Sequence, residues 1–159
     1  MVRLGGRIPL KSGCIIFSSP MQRCRQSCQA LSLQQKIHYN KSLREIDFGE
    51  WEGLSFTEIC EKDPDKVDEW AKGFNTFCFP NGECVQDFLT RVHDAARKIS
   101  NLEAEQIIIV SHGGVIRALL CFWLGLDPKN YILFQIDKGK YASLELFDDL
   151  GVLTGFNLG

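Results

Sequence analysis

Residues 107–117 read IIIVSHGGVIR. Four apolar, largely β-branched residues are followed by Ser111, His112 and two glycines, and then by the apolar run VIRALLCFWLGL. The first four predict a short buried strand. The run after the glycines predicts a helix, which Gly125 and Pro128 end. Almost every face of that helix is apolar, so its 3.6-residue period is blurred and deep burial is expected. Gly113 and Gly114 let the backbone turn tightly, and the first amides of the helix have no partner within it. They point at whatever lies above the strand end, and an anion suits that place. His112 beside it can donate a hydrogen bond to a phosphoryl oxygen or pass a proton, its reference pKa being ~6.5. Ser111 is not a hydrolase nucleophile, because a G-x-S-x-G elbow needs glycine where Ile109 stands.

A second strand, loop and helix precede this one. CIIF (14–17) predicts a strand, Ser18, Ser19 and Pro20 a loop, and MQRCRQSCQAL (21–31) a helix with Pro20 at its first turn. Arg23 then falls in the first turn, where its guanidinium reaches the same sheet edge as His112 and can hold a phosphate through two parallel hydrogen bonds. Between the two units lie the turn-rich SLREIDFGEWEGLSF and an aromatic, acidic region that ends near Pro80. Glu45, Asp47, Glu50 and Glu52 stand among apolar neighbours there, and one of them could serve as a general acid; the residues alone do not choose which. Val85, Phe88, Leu89, Val92, Ala95, Ala96 and Ile99 then mark an amphipathic helix. After the second unit, YILFQID, YASLELFD and GVLTGFN predict three more strands. Strands alternating with long helices imply an α/β domain, a three-layer sandwich whose mostly parallel central sheet is flanked by helices. Ligands of such folds bind at the carboxyl ends of the strands, where S-S-P and S-H-G-G fall.

The chain has 159 residues, 45% of them apolar, 24% charged, and a formal net charge of -2. One domain is expected, large enough to hold a core without disulfide or metal. The charge balance argues against a nucleic-acid binder that works by bulk charge. The N-terminal stretch MVRLGGRIPLKSGCIIF is not a secretory signal, and nothing approaches a membrane span. The seven cysteines include no C-x-x-C, and reduced thiols in a cytoplasmic protein fit them best. Cys24 and Cys28, four apart, lack the second pair a zinc site needs.

SSPMQRCRQSCQAL, LREIDFGEWEGLSF, FPNGECVQDFLTRV and IIIVSHGGVIRALL together resemble the successive motifs of the histidine phosphatase superfamily, also called phosphoglycerate mutase-like, from about residue 14 to 157. The likeness is greatest to its alpha-ribazole phosphatases, of cobalamin synthesis. The resemblance implies phosphomonoester hydrolysis through a phosphohistidine, on alpha-ribazole 5′-phosphate or a similar small metabolite, with no cofactor and no metal. It implies that Arg23 clamps the phosphoryl group, that His112 and the Gly113 amide stabilise its charge, that Glu45 is the general acid, and that Glu83 and Ser18 border the pocket. Phosphoglycerate mutase-type transfer is a further alternative. In the family a histidine of an Arg-His-Gly motif on the first strand attacks phosphorus, and no Arg-His-Gly occurs in this chain. The expectation is therefore one domain over residues 1–159 that lacks its first strand and helix, with a noncatalytic phosphate-binding remnant as the rival reading. A further expectation is that the shortened chain pairs with a second copy, which covers its open sheet.

Overall fold

The computed structural model describes Ile8, residues 10–148 and residues 150–159. Most of the N-terminal stretch up to Pro9, and Asp149, thus lie outside the described residues. The chain divides into two compact units, Met1–Glu45 with Val92–Gly159, and Ile46–Arg91.

In the first unit, β1 (Ile15–Ser18) lies between β2 (Ile37–Tyr39) and β3 (Ile107–Val110), parallel to both. The order β2-β1-β3 puts the two strand–loop–helix units of the sequence side by side, in a register that sets Ser18 against Val110. Ile16 of the middle strand is fully buried, whereas all four residues of β3 are only half-buried. Among the described residues β3 pairs with β1 alone. Parallel neighbours need crossovers, and α1 (Gln22–Ala30) makes the first, packing on β1 and β3. Cys24 and Cys28, one turn apart, are its buried residues. The second parallel step, from β2 to β3, is completed by α4 (Val85–Ser100), in which the seven apolar positions read from the sequence are all buried.

The helix after the paired glycines is α5 (Gly113–Trp123), with Val115, Ala118, Leu119, Leu120, Cys121 and Trp123 buried. It stops where Gly125 takes a positive φ of 64°, so that Leu126 N–H reaches back to the Cys121 carbonyl at 2.9 Å and Gly125 N–H to that of Phe122. The two runs after it form an antiparallel pair in a sheet of their own, β4 (Tyr141–Phe147) and β5 (Leu150–Leu158). The expected strand over YILFQID is not formed. Pro128 and the Asp127 carboxylate, which accepts from Lys129 N–H, start a 3₁₀ turn over Pro128–Leu133. Gln135 and Asp137 are then tied by one side chain instead of a ladder: Asn157 Nδ2 donates to the Gln135 carbonyl at 2.8 Å and its Oδ1 accepts from Asp137 N–H at 3.1 Å.

The second unit holds α2 (Phe56–Lys62) and α3 (Pro64–Lys72). Ser55 opens α2 with a reciprocal capping box to Glu58, and Pro64 stands in the first turn of α3. Its core is aromatic: Trp51, Phe77 and Phe79 pack with ring centroids 5.2–5.5 Å apart, and Phe48 meets Phe79 edge-on at 5.0 Å. The segments D-F-G-E and P-N-G-E close on each other through Glu50 N–H to Pro80 O and Glu83 N–H to Asp47 O, both 2.9 Å. Gly49, at φ 54°, has to be glycine, because a Cβ there would stand 2.1 Å from the Pro80 carbonyl oxygen. Cys78 and Cys84 are joined in a disulfide, against the expectation that every thiol is reduced. The two face each other in an isolated antiparallel bridge across this hairpin-like turn, which brings their side chains together; the other five cysteines are free.

Among the described residues no helix is long and apolar enough to cross a membrane.

Candidate active site

The site of interest lies where β1 and β3 end. Ser19 N–H extends the ladder by one bond to the Val110 carbonyl, 2.9 Å, so S-S-P and S-H-G-G leave the sheet side by side. His112 is the N-cap of α5, with an extended backbone that turns its imidazole back towards α1, and it is 5% exposed. Arg23 Nε donates to His112 Nδ1 at 2.8 Å. A guanidinium only donates, so Nδ1 carries the lone pair, and the proton of a neutral ring sits on Nε2. That nitrogen lies 2.8 Å from Ser19 Oγ, which accepts it and also receives Met21 N–H at 3.3 Å. Arg23 is otherwise exposed, and its guanidinium carries further N–H donors that an anion can meet.

Glu45 reaches the same corner. Its Oε2 accepts the Gly114 amide at 3.2 Å, and a Cβ on Gly114 would stand 2.5 Å from Oε1, so only glycine admits the carboxylate this closely. The helix N-terminus inferred as an anion site thus already receives a carboxyl group from the chain itself. Space remains above Gly113, where an added Cβ would meet nothing within 4 Å.

Ser18, expected at the pocket, is fully buried, and its hydroxyl donates to the Ser19 carbonyl at 3.0 Å. Ser19 stands at His112 in its place. The sequence offers Cys24 only as half of an incomplete zinc pair, yet its Sγ lies 3.5 Å from His112 Nε2. Its position one residue after Arg23, on a helix whose first turn faces the strand ends, was the available signal. Burial pushes the Cys24 thiol up, outweighing the Ser19 hydrogen bond and the Arg23 charge that pull it down, so it is a thiol at neutral pH. Glu83 belongs to the second unit, where Arg91 grips its carboxylate through Nε and Nη2 at 2.6 and 2.8 Å and the Asp47 amide donates to it at 3.3 Å. The remaining histidines are placed elsewhere, His38 on β2 against Phe17 and His93 on α4 against Phe122. The arrangement brings together Arg23, His112, Glu45 and Gly113: a cation, an imidazole N–H, a carboxylate and a helix amide at one strand end.

Comparison with known proteins bears on the family and the fold. Over 147 residues the chain is 26% identical to phosphoserine phosphatase 1 of Hydrogenobacter thermophilus, covering 91% of this chain and 70% of that protein. It is 23% identical over 146 residues to the adenosylcobalamin/alpha-ribazole phosphatase of Escherichia coli, covering 90% and 72%. Its fold is that of the alpha-ribazole phosphatase from Shigella flexneri, with a TM-score of 0.87 at 22% identity over 99% of this chain and 81% of that one. The family model of the histidine phosphatase superfamily (branch 1) matches residues 2–159, and the chain belongs to that superfamily.

Proposed function

We propose that the chain acts in hydrolysis of a small phosphomonoester through a phosphohistidine, alpha-ribazole 5′-phosphate being one substrate of the expected kind. The observation that carries this reading is the convergence of Arg23, His112 and Glu45 on the N-terminus of α5. In the first step a histidine nitrogen bonds to phosphorus as the bond to the leaving oxygen breaks, and Glu45 gives that oxygen its proton. Water then attacks phosphorus, the N–P bond breaks, and inorganic phosphate and free histidine result. Arg23 spreads the charge of the transferring oxygens, the Gly113 amide adds a donor, and the His112 Nε2–H joins them by exchanging Ser19 Oγ for a phosphoryl oxygen.

His112, held by Arg23 and Ser19, is suited to stabilise and not to attack. The attacking histidine belongs, in this reading, to one further strand seated parallel on the second edge of β3, which completes the single histidine-phosphatase-like domain to which residues 1–159 belong. What supports it is that β3 is wholly apolar, only half-buried and, among the described residues, paired on one side alone. The coding DNA upstream of Met1 provides the test. An in-frame Arg-His-Gly, and phosphomonoesterase activity of the extended protein, are expected; an upstream stop codon with no such motif overturns the reading.

One observation favours a second reading, a phosphate-binding module without turnover: the nucleophilic side chains beside His112 are the Ser19 hydroxyl and a Cys24 thiol that burial keeps protonated, while His38 and His93 stand elsewhere. Calorimetric titration with phosphate beside a phosphatase assay separates the two, since binding without hydrolysis by the longest in-frame product belongs to the module alone.

A further inference from the structure

The segment 40–45 runs across the ends of both β1 and β3. Asn40 N–H donates to the Ser18 carbonyl at 2.9 Å, Ser111 Oγ to the Leu43 carbonyl at 2.8 Å, and Gly114 N–H to Glu45 at 3.2 Å. Asn40 also caps the 3₁₀ turn Lys41–Leu43, its side chain accepting from Ser42 N–H. The backbone of Lys41 and Arg44 is therefore anchored at three points to the strand ends that hold His112. Their exposed side chains line, with Pro20 and Met21, a cavity of about 280 Å³. Pro20 and Met21 follow Ser19 directly, and Met21 N–H bonds the same Ser19 Oγ that His112 reaches. One wall thus serves the cavity and the phosphoryl cradle.

The lining holds two cations and no acid. Lys41 makes no ion pair among the described residues, while Arg25 is turned aside, its Nε on the Pro20 carbonyl and its guanidinium 4.0 Å over the Tyr39 ring. The volume is below that of pockets that enclose drug-sized molecules, but it admits a carboxylate or a phosphoryl group. Arg44 offers a planar fork and Lys41 a point charge, the usual pair of means for holding such an anion.

We propose that Lys41 and Arg44 form an anion subsite beside the phosphoryl cradle, taking a second acidic group, carboxylate or phosphoryl, carried by the leaving group of the ester. This rests on the phosphomonoester reading above and narrows it: esters with an acidic leaving group are preferred over those, such as alpha-ribazole 5′-phosphate, whose leaving group carries none.

Calorimetric titration of the full chain with inorganic phosphate, ethyl phosphate, 2-phosphoglycolate and ethylene glycol bisphosphate tests it. Phosphoglycolate differs from ethyl phosphate only by a carboxylate in place of a methyl group, and the bisphosphate asks the same of a phosphoryl group. At least one acidic ester is expected to bind about tenfold more tightly than ethyl phosphate, the worth of one charge-assisted contact. In the Lys41→Gln/Arg44→Gln double variant that advantage falls below about twofold, while inorganic phosphate binds as before. Both side chains are exposed, and a circular-dichroism melt of the variant checks its fold. No advantage in the unaltered chain, or an advantage that survives the double substitution, overturns the subsite and leaves the phosphate reading standing. Failure of inorganic phosphate to bind the unaltered chain overturns both.

Discussion

His112 shows how much of a residue's chemistry its neighbours set. With Arg23 on Nδ1 and Ser19 on Nε2, the ring is fixed in one plane and one tautomer. Substitution of Arg23 by Gln removes a cation and the lock on Nδ1 together, so phosphate affinity is expected to fall about tenfold or more by calorimetry. His93 is a contrasting case. Its ring packs on Phe122, Nε2 is buried without a partner, and burial first, then the Arg97 charge, holds its pKa below the usual 6.5. The unfolded chain therefore binds the proton more readily than the folded one, and this contribution to stability is complete above pH 6.5 and lost as pH falls through the lower, folded value. Thermal midpoints measured from pH 7 down to 5.5 should decline, and His93→Phe should flatten the decline; equal slopes in parent and variant would exclude His93 as its source. In the sequence, His112 could be singled out by its glycines and His93 only as a helix residue. The orphaned nitrogen of His93 depends on Phe122, which arrives from another helix.

At the scale of elements, short-range pattern had its greatest reach where one period dominates. The amphipathic spacing from Val85 to Ile99 predicts α4, and all seven positions are buried because a 3.6-residue period has one way to face a core. β2 escaped notice because it is three residues long and two of them are exposed; its backbone bonds to β1 hold it, not its side chains. YILFQID failed in the opposite direction, its strand-like composition overridden by Asp127 and Pro128 before it and by Asn157 across from it. The turn at Gly49 shows what a backbone contact demands. Gly49→Ala must bear a positive φ and a clash with the Pro80 carbonyl, so a loss of about 2 kcal/mol or more is expected in urea unfolding. A loss below 0.5 kcal/mol, by contrast, is the scale of an ordinary surface substitution and would mean that the two segments do not approach so closely.

For the whole molecule, two compact units raise the question of what stabilises each. The first has a parallel sheet with buried helices, and an antiparallel pair whose Phe147, Leu150 and Val152 are more than half exposed. The second is built on four aromatic rings and one disulfide. Closing the short loop from Cys78 to Cys84 contributes about 2 kcal/mol by loop-entropy reasoning, so reductant should lower the melting transition of the parent protein and leave that of Cys78→Ser/Cys84→Ser unmoved. A shift of equal size in both would place the sensitivity at another cysteine. The amino-acid sequence by itself determined the two strand–turn–helix units and the location of His112 and Arg23, because apolar period, glycine pairs and proline act within a few residues. It also determined that Glu45 belongs to a turn near them, through a family resemblance. Only the tertiary structure decided that Ser19, and not Ser18, meets His112 across 93 residues of chain, that Cys24 touches the same ring, and that Glu45 rests on the Gly114 amide. Those contacts follow from the register of β1 against β3, and register is a property of two strands paired, which neither strand's residues specify alone.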